Sequence, residues 1–166
     1  MFRTIKDFIT DWEIESALTL KIFRAVTDAS LEQKIYPEGR TLGRLAWHIT
    51  GSLGEMPRQA GLKAVLPTAD DPVPNSVAEI AEVYGNSARA IAQSVKTQWN
   101  DVMLGETVPM FGKEWERGKV LTALITHQVH HRAQMTVLMR QAGLKVPGIY
   151  GPAREEWAAF GREAEK

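Results

Sequence analysis

Four stretches of this chain carry apolar residues at intervals of three and four, the spacing that lines one face of a helix. The first covers residues 5–26, where Ile5, Phe8, Ile9, Trp12, Leu18, Ile22, Phe23 and Val26 follow it. Thr41 is placed to cap a second helix through about residue 60, with Leu42, Leu45, His48, Ile49, Leu53 and Met56 along its inner side. Pro57 is expected to kink or end that helix. Ser76 with Glu79 reads as a capping box opening a third helix over residues 77–98. The fourth runs over about residues 119–142, with Gly143 as its left-handed C-terminal cap.

Between these helices the pattern breaks. The stretch "YPEGR" interrupts it with Pro37 and Gly39. The segment "LPTADDPVPN" is rich in proline and aspartate and reads as a long connection that carries the chain across the end of a bundle. In "DVMLGETVPMFGKEW" an imperfect alternation with Gly105, Pro109 and Gly112 reads as a crossover loop holding a short hairpin. After the irregular "KVPGIYGP", the stretch "AREEWAAFGREAEK" predicts a short C-terminal helix docking Trp157 and Phe160 on the bundle. The expected fold class is all-α: a four-helix bundle with crossover connections and a short C-terminal helix, forming one domain over residues 1–166.

Composition removes several functional classes. At 166 residues with 44% hydrophobic positions, the chain suffices for one ordinary core. Twenty basic residues balance twenty acidic ones, and no helix face gathers Lys and Arg, so nothing marks a nucleic-acid partner. The start has no continuous apolar run of signal-peptide type, and no run of 18 apolar residues occurs, which points to a cytoplasmic protein without a membrane partner. Cysteine is absent, so thiolate metal sites and cysteine nucleophiles are excluded and histidine is the strongest metal ligand available.

Three of the four histidines fall in "THQVHHRAQ". On the fourth helix the stripe Leu121, Leu124, His127, His131, Gln134 and Leu138 climbs by threes and fours, which stacks His127 and His131 one turn apart. Spacing alone leaves His130 open as an alternative to His131, because it lies three residues from His127. His48, on the apolar stripe of the second helix, can face this pair across a bundle. A lone inward histidine is ordinarily a hydrogen-bonded core residue. Two imidazoles and Gln134 in one buried patch are different, because each unpaired polar atom costs roughly 1–3 kcal/mol. One divalent ion satisfies two imidazoles at once, and three protein ligands leave positions open for a small-molecule substrate, as in catalytic sites. Imidazole suits several metals, with zinc or nickel first in order. Glu55, two turns beyond His48, and Glu15, on the inward side of the first helix, are candidates for a ligand, a supporting partner or a general base, and Gln134 is a further catalytic candidate. The five tryptophans read as core and interface anchors, and the glycines and serines form no phosphate loop, dinucleotide fingerprint or nucleophile elbow.

A histidine within "LAWHIT" followed by "HQVHHRAQ" resembles the DinB-like (YfiT-like) family of metal-binding four-helix bundles, whose pattern is a lone His and then H-x-x-x-H-R-x-Q. The resemblance implies metal ligands at His48, His127 and His131, since the second His of the pattern directly precedes the Arg, here Arg132. Gln134 matches the glutamine of the pattern. "GLKVPGIYGP" is similar to the family's glycine- and proline-rich tail, without the acidic residue often found there. The resemblance further implies a homodimer and, by analogy with some members, a metal-dependent S-transferase or isomerase using a low-molecular-weight thiol of the bacillithiol or mycothiol type. The alternative is a non-catalytic, metal-binding stress-response bundle whose coordination sphere is closed by Glu55 or Glu15.

Overall fold

The computed structural model describes residues 1–164. Four α-helices, α1 (Ile5–Phe23), α2 (Leu42–Gln59), α3 (Val77–Gln98) and α4 (Arg117–Gln141), carry the structure, with a hairpin of β1 (Thr107–Met110) and β2 (Lys113–Glu116) before α4. Helix α1 ends three residues earlier than the apolar spacing suggests, because residues 24–26 leave the helix while Val26 stays buried. Helix α4 starts two residues early, since β2 feeds directly into it. The Thr41 hydroxyl accepts from the Arg44 N–H at 3.1 Å and caps α2 as expected. Gly143 takes φ +73° after α4, so the Leu144 N–H reaches the Met139 carbonyl at 2.9 Å.

The cap of α3 differs from expectation. Ser76 makes no side-chain cap bond, and no capping box with Glu79 forms. The Val77 N–H instead donates to Asp28 Oδ1 at 2.8 Å, so a carboxylate 49 residues away serves the helix N-terminus.

Helix directions follow from what meets at each end. At one end the Ile5 N–H donates to Asp101 Oδ1 at 2.7 Å, Lys63 and Gln98 exchange two hydrogen bonds, and Arg117 Nε donates to the Ala60 carbonyl at 3.0 Å. The starts of α1 and α4 therefore lie with the ends of α2 and α3. At the other end Asp28 meets the start of α3, and the Gly43 N–H of α2 reaches the Leu31 carbonyl at 2.9 Å. Thus α1 and α4 run one way and α2 and α3 the other. Helices α1 and α2 each pack against α3 and α4, which places α1 diagonal to α2 and α3 diagonal to α4.

This arrangement explains the connections and corrects one expectation. Residues 24–41 and 99–116 cross the two ends of the bundle. Residues 60–76 do not cross an end; they join parallel neighbours and must return along α2, whose 18 residues span about 27 Å. The returning strand lies flat on α2 because two glycines admit it. A Cβ on Gly54 would stand 2.2 Å from the Pro67 carbonyl oxygen, and one on Gly51 would stand 2.4 Å from the Ala69 nitrogen. Trp47 Nε1 donates to the Asp71 carbonyl at 2.8 Å farther along the same path.

The short hairpin expected in the second crossover forms, with Met110 opposite Lys113. Its two tip residues, Phe111 and Gly112, have φ of 49° and 75°, the two-residue turn that matches strand twist. The expected short C-terminal helix forms, but it does not dock as expected. It is a 3-10 helix (Arg154–Phe160) without a buried residue, and Phe160 is 63% exposed instead of docked. Charge holds it: Arg140 pairs with Glu155, and Glu156 accepts from the Gly148 and Ala153 N–H groups at 3.0 Å each. The last two residues of the predicted helix lie outside the described residues.

The core fills the space between the four helices, with Phe8, Trp12, Ile49, Leu53, Ile80, Tyr84, Leu121 and Leu124 essentially inaccessible. Burial of such side chains contributes about 1.5–3 kcal/mol each and fixes how the helices face one another. Among the described residues, no helix is long and apolar enough to cross a membrane.

Candidate metal centre

The facing of α2 and α4 brings three histidines together. His48 comes from the second turn of α2, and His127 and His131 come from adjacent turns of α4. One ring nitrogen from each lies within 4.8 Å of the other two. The Nε2 atoms of His127 and His131 are 3.2 Å apart, close to the roughly 3.4 Å that two bonds of 2.0–2.1 Å subtend at a tetrahedral zinc. His48 packs at ring-centroid distances of 5.0 Å from His127 and 4.6 Å from His131.

The surroundings leave these rings neutral and one of them oriented. Burial, then the neighbouring charges of His131 and Arg40, lower His48 from 6.5 to about 4. Burial, then His131 and His130, does the same to His127, again to about 4. His131 is also lowered by burial, against an opposing hydrogen bond that its ring donates to Gln134. Neutral imidazole is the ligand form. Gln134 Oε1 stands 2.8 Å from His131 Nδ1 while Gln134 Nε2 stands 3.1 Å from His130 Nε2. An amide oxygen only accepts, so His131 carries its proton on Nδ1 and presents a bare Nε2 lone pair to the cluster. His127 Nδ1 is buried without a partner.

The remaining candidates fall elsewhere. Neither Glu15 nor Glu55 belongs to the clustered group. Glu15 is engaged on the α1 side of α4, where its carboxylate pairs with Arg132 and accepts from the Tyr150 hydroxyl. Arg132 Nη1 also donates to the Glu15 carbonyl at 2.8 Å and to Thr19 Oγ1 at 3.1 Å. Gln128, fully buried, continues this network by accepting from Thr19 and Tyr84. Gln134 is exposed, not part of a buried patch, and sits at the mouth of the cluster. His130 is likewise exposed and touches the cluster only through its ring contact with His131 and the Gln134 bridge.

Beside His131 a cleft of about 430 Å³ opens to solvent between α4 and the first crossover. Ile35, Tyr36, Gly39 and Arg40 of that crossover form one wall, and Leu45, His130, Gln134 and Leu138 complete it. None of the crossover residues stands out in the sequence, which marks the segment only as a break between helices.

A lone histidine on α2, a histidine pair at four on α4 with Arg132 and Gln134 behind it, and the crossed connections form one pattern. The DinB family model matches residues 1–166. The chain belongs to the DinB family. The uncharacterized protein YrdA of Bacillus subtilis strain 168 is 48% identical over 166 residues, covering all of this chain and 99% of that one. The crystal structure of a DinB-like protein from Bacillus cereus ATCC 10987 is 43% identical with a TM-score of 0.86, covering 90% of this DinB chain and all of the other. A second DinB-like protein, YjoA of Bacillus subtilis, shares the fold at a TM-score of 0.68 and 14% identity, over 89% and 99% of the two chains.

Proposed function

We propose that residues 1–166 work as one DinB-like domain, a divalent-metal-dependent enzyme in which His48, His127 and His131 hold zinc or nickel. The observation that carries this reading is the donor set: three neutral imidazoles from two helices, no carboxylate among them, and a solvent-open cleft against one. Such an incomplete protein set suits a reacting molecule in the open position.

By family analogy the reaction is S-transfer from a low-molecular-weight thiol of the bacillithiol or mycothiol type. A divalent cation bound here supplies Lewis acidity that favours the thiolate, the nucleophilic form. The chain's own part is positional. Gln134 holds His131 in one tautomer, the first crossover walls the cleft, and Leu45 and Leu138 keep its floor apolar. We place the enzyme in the cytoplasm as a homodimer acting on a small-molecule electrophile. The engagement of Glu15 by Arg132 and Tyr150 speaks against a carboxylate-closed, purely structural ion.

Elemental analysis of purified wild type beside the single variants His48→Ala, His127→Ala and His131→Ala tests the site. The expected result is about one ion per wild-type chain and nearly none in the variants, as befits a three-ligand site. Equal, negligible metal in all four proteins would discard the metal centre. Metal-loaded protein that fails to couple any bacillary or actinobacterial thiol to electrophiles would discard the transferase reading while keeping the metal. Light scattering of the same samples reads the oligomer.

A further inference from the structure

The charge of the cleft is one-sided. Its lining contains Arg40 and no Asp or Glu. Among the described residues Arg40 pairs with no carboxylate. The three imidazoles behind it add no negative charge, and Arg40 acts on all three as a positive neighbour, joined at His48 by Arg44. A divalent cation in that cluster would raise the local charge further, and among the described residues no carboxylate belongs to the cluster or the cleft lining. The rest of the wall is apolar: Ile35 and Tyr36 on the crossover, 62% and 59% exposed, face Leu45 and Leu138 on the helices. Large exposed apolar side chains around a concave site with one convergent charge mark a ligand that is apolar in its body and charged at one point.

We propose that Arg40 is a specificity-determining residue of this cleft, recognising a carboxylate on the thiol or substrate that also reaches the metal, while Ile35, Tyr36, Leu45 and Leu138 cover its apolar part. The proposal rests on the metal reading above. A guanidinium serves this role because its planar fork matches a carboxylate with two parallel hydrogen bonds, whereas an ammonium offers a single point charge. Arg40 sits just before the N-terminus of α2, so its backbone is anchored by the Thr41 cap while its side chain stays free to close on a ligand.

Zinc-loaded protein titrated calorimetrically with ω-mercaptocarboxylates of two, three and six carbons, each against the matching mercaptoalcohol, tests the assignment. Both members of a pair can bind zinc through sulfur, so their ratio isolates the carboxylate. At one chain length or more, the wild type is expected to prefer the carboxylate about tenfold or better, the scale of one charge-assisted pair. The preference disappears in Arg40→Gln, partly returns in Arg40→Lys and persists in Arg44→Gln, since Arg44 lies outside the cleft lining. Zinc content measured on the same samples separates the two layers. Full zinc with no preference at any length, or an equal loss in Arg40→Gln and Arg44→Gln, overturns the contact and leaves the metal centre standing. Negligible zinc in the wild type overturns the metal centre and this assignment with it.

Discussion

His131 and Arg132 are neighbours in sequence and point from faces of α4 about 100° apart into two polar clusters of different composition. Toward α1, Arg132 meets Glu15, Thr19 and Tyr150, and the hydroxyls and amides behind them extend a network that mixes donors, acceptors and both signs of charge, with Arg132 Nε alone left without a partner. Toward α2, His131 meets two more imidazoles and no acid, and a nitrogen of His127 stays without a partner. A network that pairs donors with acceptors and joins opposite charges is tied to the fold; one made of a single kind of side chain, with no acid in it, has the donor set that can take up a cation. Composition and charge, more than satisfaction, separate the two regions, since each leaves one buried nitrogen without a partner.

The sharpest way to break this comparison is to remove a charge from the ion-paired side. Arg132→Met strands the Glu15 carboxylate, whose side chain is only 14% exposed, and is expected to destabilise the metal-free protein by about 3–5 kcal/mol. Adding Glu15→Gln to that variant recovers part of the loss, because the stranded charge is gone. Protein of either kind that still folds keeps its metal stoichiometry. Denaturant titrations with elemental analysis read both; near-wild-type stability together with lost metal would mean that Arg132 belongs to the metal side.

A smaller effect belongs to the imidazole side. Gln134→Ala removes the acceptor that fixes the His131 tautomer and is expected to weaken metal affinity by about 10–100-fold. Folding stability should move by no more than about 0.5 kcal/mol, since Gln134 is exposed. Gln134→Glu keeps an acceptor and should hold the metal at least as well. Competition with a chromophoric chelator measures the affinities. Unchanged affinity in Gln134→Ala would make the bridge to His131 incidental.

The two regions were also unequally legible in the sequence. Helices show because 3.6-residue periodicity is a local property, and the histidine cluster shows because His127 and His131 share a helix face and only two other histidines exist. The Arg132 network is invisible to spacing. Its acid lies 117 residues away, and Glu15 reads as a candidate ligand until the pairing of α1 with α4 is known. Long-range partners likewise set the cap of α3, served by Asp28 and not Ser76, and the path of residues 60–76, dictated by the parallel run of α2 and α3. Trp157 and Phe160 suggest docking by composition, yet the segment is held by Glu155 and Glu156. Arg40 carries no pattern at all; only the folded crossover puts it beside the histidines.

The gentlest test of the comparison is acid. In metal-free protein His48 and His127 are held near 4 by burial and by neighbouring positive groups, against 6.5 in an unfolded chain. The fold therefore favours their neutral forms. Between pH 6.5 and 4 the unfolded chain takes up protons at these sites that the folded chain refuses, so their contribution is complete above 6.5 and is lost as the pH falls toward 4. Both rings are half-buried, and solvent screening keeps the effect modest. Metal-free wild type should lose more stability over that window than the His48→Asn/His127→Asn double variant, which cannot titrate there. Parallel pH profiles for the two proteins would show that the cluster does not resist protonation, and that its open side is not poised, as neutral nitrogen, for a cation.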